Sequence, residues 1–406
     1  MERHDRATID LLAARVMPRL GDGKAVLESA EGARDGADLS PAGISERIER
    51  SEATLRGYIE HELGGDPALE DLARRMLQTG REGLELIAGR REETAAPLAE
   101  VAAALEVVVH TDGSRPAFLV REDAPVFDSS PPGIWVDLLA DPLRDADLRT
   151  ALKAVARIDI THPLMPYAGT GWLVAPDLVA TNRHVAQVFV SFPADGAPVI
   201  RHDLAPRIDF GHEFNGRESA DSQPLTDLVF CGAKPIPPVG IDHDCLDIAV
   251  FRLGAPAPAD RKPLALGEGQ RLALPQTQVF VAGYPARPDP ASLGSVSETD
   301  RVLRLLFEKL WGFKRLAPGE VTPTGLGART LNHDATTLGG NSGSLVMGID
   351  SLPFVTGIHY GGNWGSDRTN WAHVLGSVLD EPGLPGLRHA SLADLCASEG
   401  VQRRVF

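Results

Sequence analysis

The stretch Thr337-Leu338-Gly339-Gly340-Asn341-Ser342-Gly343-Ser344 sets a serine among small residues, directly ahead of the apolar run Leu345-Val346-Met347, whose pattern predicts a strand. Gly340 and Gly343 carry no side chains, so a carbonyl group can approach the Ser342 hydroxyl while neighbouring backbone N–H groups point at its oxygen. A glycine-rich turn between two strands has the same look, and the string alone leaves both readings open. A serine hydroxyl becomes a nucleophile only when a base takes its proton and an acid orients that base. The choice therefore rests on a histidine and an aspartate elsewhere in the chain.

Residues Gly169 to His184 read Gly-Thr-Gly-Trp-Leu-Val-Ala-Pro-Asp-Leu-Val-Ala-Thr-Asn-Arg-His, two short strands joined by a Pro176-Asp177 turn, with His184 at a strand end. The run Cys245-Leu246-Asp247-Ile248-Ala249-Val250-Phe251-Arg252-Leu253 places an acid at the head of an apolar strand, where its carboxylate is partly shielded. His184 is one of 12 histidines, and a strand-end histidine bonded to a carbonyl is an equally ordinary reading of it alone. Asp242 and Asp244 are rival acids in the same loop.

In the chain order His, Asp, Ser, the strings Thr-Asn-Arg-His, Asp-Ile-Ala and Gly-Asn-Ser-Gly-Ser resemble the three motifs of the trypsin-like (chymotrypsin-fold) serine peptidases. The Gly-Asn-Ser-Gly-Ser form is similar to that of the bacterial and intracellular branch that includes the glutamyl endopeptidases. The resemblance runs from about Ala154 to Leu379, and it favours Asp247 because Ile248 and Ala249 follow it as in the family motif. It implies Ser342 as nucleophile, His184 as base, Asp247 as orienting acid, and the N–H groups of Gly340 and Ser342 as oxyanion donors.

The string Phe354-Val355-Thr356-Gly357-Ile358-His359-Tyr360-Gly361-Gly362 is similar to the Gly-Ile-His-x-Gly-Gly string of glutamyl endopeptidases. That likeness implies a substrate pocket formed by Thr337, His359 and Gly361, in which the hydroxyl and the imidazole could donate to a Glu or Asp side chain. A packing role for His359 beside Trp364 or Tyr360 stays open. Thr336 stands where basic-specific relatives carry an aspartate, although Asp334 is close enough to leave cleavage after Lys or Arg in play. The other class of function in play is a non-catalytic interaction protein that uses the peptidase fold as a scaffold.

At 406 residues the chain exceeds one peptidase domain of about 200–250 residues, so a second module is expected. Its first third reads as helices: Ile9, Leu12, Val16 and Leu20 recur at helical spacing, and Ser40-Pro41 and Asp66-Pro67 each pair an N-cap with a proline at the first helical position. A second helix runs through Ile44, Ile48, Leu55 and Ile59, a third through Leu69, Leu72 and Met76, and a fourth near Pro97 to Leu105. The layout resembles the short acidic helical modules that stand beside peptidase or signalling domains in bacterial conflict and defence proteins, which implies an adaptor or regulatory role and a protein partner. Val107-Val108-Val109 and Ala117-Phe118-Leu119-Val120 flank Asp112-Gly113 as a hairpin signal, Ser129 to Gly133 reads as a linker, and Asp145 to Val155 as a helix.

The expected fold class is α+β and multidomain. A helical adaptor or regulatory bundle (1–105) precedes a connector with a hairpin and a helix (106–153). An all-β, chymotrypsin-like double β-barrel with a helical insertion (154–380) and a tail (381–406) follow. His184 and Asp247 stand 63 positions apart, so Phe210 to Pro224 is expected as an insertion. Leu303, Leu306 and Leu310 predict a helix within 299–313 whose apolar face packs on the barrel, the alternative being a lid or an exosite beside the cleft served by Lys309 and Lys314.

The net charge of −16 argues against a nucleic-acid partner. No apolar run approaches about 18 residues, so no membrane span is expected. Three cysteines, with no apolar leader after Met1-Glu2-Arg3-His4-Asp5-Arg6, lead to a cytoplasmic expectation. His202, His212 and His243 lack metal-motif spacing and no phosphate loop is present, so neither metal nor cofactor is expected.

Overall fold

The computed structural model describes residues 2–17, 20, 38–62, 65–127, 133–162, 165–193, 195–214, 222–237, 240–285, 312–337, 340–362 and 369–406. The helix expected within 299–313 lies almost wholly outside these residues, as do Lys309, Leu338-Gly339, Trp364, the Asn215 to Ser219 run and most of the Ser129 to Gly133 linker.

Helical periodicity in the first third becomes a bundle of α1 (Arg6–Val16), α2 (Pro41–Glu62), α3 (Pro67–Ile87) and α4 (Leu98–Thr111). Short strands β1 (Glu2–Arg3) and β2 (Glu93–Thr94) pair beside it. Ser40 Oγ accepts the Gly43 N–H at 3.1 Å and Asp66 Oδ1 accepts the Ala68 N–H at 2.9 Å, so both expected caps satisfy amides that the first helical turn leaves over. The apolar stripes close over Ile9, Leu12, Ile44, Ile48, Leu84 and Leu105. Helix α4 comes close to α3 because Gly80 and Gly83 face it: a Cβ at Gly80 would stand 2.9 Å from Val108 Cγ2, and one at Gly83 2.8 Å from Val101 Cγ1.

The Val107 to Val109 run does not form a strand. It lies in the last turns of α4, buried in the bundle core, with Asp112 as C-cap. Burial against α3 outweighs the β preference of three consecutive valines. The hairpin forms further on, between β3 (Phe118–Arg121) and β4 (Ala124–Pro125), around Glu122 and Asp123 at φ 52° and 61°. Two positive φ values are what a two-residue hairpin turn requires. Helices α5 (Ile134–Leu139) and α6 (Pro142–Ala154), the latter capped by Asp141, lead into the barrels.

The first barrel is a closed ring of β5 (Val155–Asp159), β6 (Tyr167–Ala175), β7 (Leu178–Thr181), β10 (Arg207–Asp209), β11 (Gln223–Cys231) and β12 (Ala249–Leu253). The Pro176-Asp177 turn joins β6 and β7 as its composition predicts. Between β7 and β10 lie α7 (Arg183–Phe189) and a ribbon of β8 (Val190–Ser191) and β9 (Val199–Ile200). After β13 (Ala265–Glu268), the second ring is formed by β14 (Gln278–Gly283), β15 (Arg315–Thr322), β16 (Thr330–His333), β17 (Leu345–Gly348), β18 (Phe354–Gly362) and β19 (Asn370–Val374). Pairing of β14 with β15 closes it. In both rings the strands neighbour one another in the order first, fourth, fifth, sixth, third, second. The expected double β-barrel is thus present, and each ring removes the open edges a flat sheet would expose. The final segment is not a loose tail: α8 (Leu392–Glu399) leads to β20 (Arg403–Val405), which pairs with β13.

The connector extends the second barrel, because β3 pairs with β15. Its turn reaches a buried ionic cluster where the Asp123 N–H donates to Glu213 Oε2 at 3.1 Å. Lys314 Nζ donates to Glu213 Oε1 at 3.0 Å and to the Leu152 and Phe210 carbonyls at 2.9 and 3.3 Å. Lys314 is fully buried, so an exosite role for it does not stand. Phe210, at the start of the expected insertion, is likewise inside the core.

Beside this cluster, Asp159, Asp209 and His212 hold potential ligand atoms within 4.8 Å of one another. Arg157 already engages them, with Nε 2.5 Å from Asp159 Oδ1 and Nη2 2.7 Å from His212 Nε2, so the group is an ion network with its own cation.

Two outcomes follow from these buried charges. Lys314→Met leaves Glu213 without its cation and is expected to cost about 3–5 kcal/mol in urea unfolding. At His212, burial and the neighbouring Arg157 charge pull the pKa down, but the Asp159 and Asp209 carboxylates outweigh them and raise it to about 8. A raised histidine stabilises the fold fully below its unfolded pKa and loses that contribution as pH rises through the folded one. Unfolding free energy should therefore fall by about 1–2 kcal/mol between roughly pH 6.5 and 8.5, after allowing for screening, and His212→Gln should flatten that slope.

Candidate active site

Asp247 lies just ahead of β12, and His184 is the second residue of α7, three positions past β7 rather than on the strand end itself. Because β7 and β12 are paired neighbours, the two loops meet. The Asp247 carboxylate accepts twice from His184, from its backbone N–H at Oδ1 (2.8 Å) and at 2.6 Å between Oδ2 and Nδ1. The Asp247 side chain is 5% exposed and that of His184 32%. A buried carboxylate on Nδ1 fixes the imidazole orientation and leaves Nε2 facing outward as a base. Asp247 is held in turn by its backbone: its carbonyl accepts from Asn182 Nδ2 at 2.8 Å, and its N–H donates to His373 Nε2 at 3.0 Å. Burial pulls His373 down to about 4, which keeps Nε2 a neutral acceptor. The rival Asp242 is turned to its own loop, accepting from the Asp244 N–H.

Ser342 sits in the turn before β17 and is partly exposed. Its carbonyl accepts from the Thr170 N–H on β6 at 2.9 Å, and the Gly340 carbonyl accepts from Thr170 Oγ1 at 3.0 Å. Gly343, at φ 87°, donates its N–H to the His359 carbonyl at 3.0 Å, and a Cβ there would lie 2.1 Å from the Thr170 carbonyl oxygen. The turn therefore accepts only glycine at this place. Gly169 completes the junction, since a Cβ on it would stand 2.8 Å from Val185 Cγ2 and 3.0 Å from the Ser342 carbonyl oxygen. The segment after His184 and the backbone of Ser342 thus flank one glycine.

Among the described residues, the Ser342 hydroxyl donates no hydrogen bond to His184, and no acceptor takes the N–H of Gly340 or Ser342. The structure joins His184 and Asp247 directly, and it ties the Ser342 turn to β6 of the same barrel through Thr170 and Gly169. Hydrogen bonds between nucleophile and base commonly tighten only when substrate is bound.

His359 on β18 is buried, with Nδ1 3.2 Å from Nε2 of buried His333 on β16. Burial holds His333 at about 4 and His359 well below the usual imidazole range, so both are neutral. In the tautomer where His333 donates, His359 keeps an Nε2–H donor. Thr337 Oγ1 donates its single proton to Asn370 Oδ1, so it does not stand as the expected donor to a substrate carboxylate, and Gly361 approaches Ile241, whose Cδ1 would be 2.9 Å from a Cβ there. Asp334 is not an open pocket acid. It accepts from Arg115 Nη2 at 2.7 Å and from the Glu320 N–H at 2.8 Å.

Sequence reading did not find Thr170, Asn182, His333 or His373. His333 and His359 are 26 positions apart, and only the barrel closure through β19 brings their strands together. Thr170 alone left a local trace, lying between Gly169 and Gly171 in a strand otherwise rich in large apolar residues.

A double barrel with an aspartate-bound histidine on one ring and a glycine-flanked serine on the other defines the serine peptidase class. The trypsin-like peptidase domain model matches residues 169–351. A probable serine protease of Lysobacter enzymogenes is 32% identical over 285 residues, which cover 66% of this chain and 72% of that protein. The chain belongs to the trypsin-like peptidase family and is a serine peptidase. Among solved structures, a Glu endopeptidase in complex with MPD is 16% identical, with 55% of this chain and 85% of that one covered at a TM-score of 0.36. The HL collagenase structure is 13% identical, with 57% and 92% covered at a TM-score of 0.38.

Thr170→Val keeps the side-chain volume but removes the hydroxyl that joins the Ser342 turn to the first barrel. It should slow both peptide turnover and fluorophosphonate labelling by about 10–100-fold, read against an unchanged circular dichroism spectrum.

Proposed function

We propose that this chain is a serine endopeptidase working through Ser342, His184 and Asp247. Ser342 attacks a peptide carbonyl while His184 accepts its proton, and Asp247 stabilises the imidazolium that forms. The Gly340 and Ser342 N–H groups take the oxyanion, and His184 then protonates the leaving amine. Water repeats the sequence on the acyl-enzyme and releases the acid. The observation that carries this reading is the double hydrogen bond from His184 to buried Asp247.

The substrate class is a protein or peptide cleaved after Glu or Asp. Support comes from His359, which carries a second imidazole behind it, and from the commitment of Asp334 to Arg115, which removes the acid that would favour Lys or Arg. Gly361, on the same strand, lies against Ile241, so that side chain borders the proposed pocket. The N-terminal helices serve as a regulatory or partner-recruiting module, consistent with a role in bacterial defence or signalling that rests on the resemblance of layout. Three free, buried cysteines fit a reducing, cytoplasmic setting, and among the described residues no helix is long and apolar enough to cross a membrane.

Ser342→Ala should lower peptide turnover by about 10⁴–10⁶-fold and abolish fluorophosphonate labelling. A peptide series differing only in the residue before the scissile bond (Glu, Asp, Gln, Lys) should favour the acids over Gln by about tenfold or more, with His359→Ala erasing the preference. Cleavage chiefly after Lys would overturn the acidic pocket, and undiminished turnover by S342A would overturn the nucleophile.

A further inference from the structure

We propose that Arg115 is a positioning residue for substrate binding, coupling the helical module to the wall that runs from Asp334 to Thr337 toward Ser342. This inference rests on the serine peptidase reading above, and it assigns the N-terminal part a specific task in that same site.

Arg115 belongs to the segment after α4, yet both its ends grip the second barrel. Its guanidinium spans two acceptors: Nη1 donates to the Ser114 carbonyl at 2.7 Å and Nη2 to Asp334 Oδ2 at 2.7 Å. Its own carbonyl accepts from Thr336 Oγ1 at 2.6 Å. The Arg115 and Asp334 side chains are 3% and 8% exposed, so this pair is desolvated. Trp135 closes the other side, with the guanidinium carbon 5.5 Å from its ring centroid and the indole N–H donating to the Ser114 carbonyl at 2.8 Å.

The segment is fixed at its far end by the bundle. Arg47 of α2 donates to Asp112 Oδ2 at 2.6 Å, with both side chains at most 2% exposed. Asp112 Oδ1 in turn accepts the Ser114 N–H at 2.8 Å. A continuous run of buried polar contacts therefore leads from α2 to Asp334 and Thr336. On the next residue, Thr337 donates to Asn370, whose Oδ1 would lie 2.4 Å from a Cβ at Gly362, on the strand that carries His359.

The electrostatics make the barrel incomplete by itself. Asp334 is buried, and Glu320 lies 3.9 Å from the same guanidinium. Without Arg115, two carboxylates would face each other with no cation between them, and the segment carrying Thr336 and Thr337 would swing toward water to hydrate Asp334. Substrate binding would suffer first, because the serine turn is tied separately, through Thr170.

The test uses the full chain, the best peptide of the series above, and a small fluorophosphonate that reports Ser342 reactivity without filling the substrate pocket. Arg115→Met should raise KM by about tenfold or more while kcat and the labelling rate stay within about threefold. Arg115→Lys should recover part of that loss, since an ammonium restores the charge but not the two-acceptor fork. If Arg115→Met melts, Thr336→Val and Arg115→Lys decide the matter. Thr336→Val leaves the ion pair in place and should raise KM by about threefold with an unchanged Tm. Unaltered KM in both of these variants would overturn the proposal, as would equal losses in KM, kcat and labelling that track the fraction unfolded. A wild-type chain that neither labels nor cleaves would instead sink the peptidase reading on which this one stands.

Discussion

Thr170 is where the two barrels are held in the relation that the chemistry needs. Its N–H and hydroxyl bind the carbonyls of Ser342 and Gly340, its hydroxyl also accepts the Tyr284 N–H at 3.0 Å, and its own carbonyl accepts from Thr181 Oγ1 at 2.7 Å. His184 and Asp247 stand on the first barrel and Ser342 on the second, so this one residue of β6 ties the serine turn to the barrel that carries the other two, over a hydrophobic core that the two barrels share. The close approach is possible only because Gly169, Gly283 and Gly343 present no Cβ at the seam; one on Gly283 would stand 1.9 Å from Ser344 Oγ.

In and beside the barrels, several carboxylates are taken out of water together with a partner. Asp247 is met by His184, Glu213 by Lys314, and Asp334 by Arg115. Buried pairs of this kind add little net stability over apolar packing, but losing one partner is costly, so they specify geometry. Arg115 and the Asp123 turn both come from the segment between the bundle and the barrels. The N-terminal part is thereby tied into the peptidase fold by polar contacts that an isolated barrel would leave open.

The three strings around His184, Asp247 and Ser342 were legible because each is local: a histidine just past a strand, an acid before a strand, a glycine turn before a strand. Helix caps at Ser40 and Asp66 were legible for the same reason, since a cap is decided within three residues. The hairpin at Asp112-Gly113 was misread because the valines ahead of it pack into α3, a contact that no local rule contains. Lys314, an exosite candidate in the sequence, is enclosed by the barrel with Glu213.

Sequence by itself determined the serine peptidase class, the helical character of the first third and the three residues proposed for the chemistry, because motif order and periodicity survive without coordinates. Tertiary structure alone decided which partner each buried polar group meets: His373 for the Asp247 backbone, His333 for His359, Arg115 for Asp334. Those pairings join residues 126, 26 and 219 positions apart. They exist because closing two barrels, and docking a helical module against one of them, leaves desolvated groups that must find a partner wherever the fold supplies it.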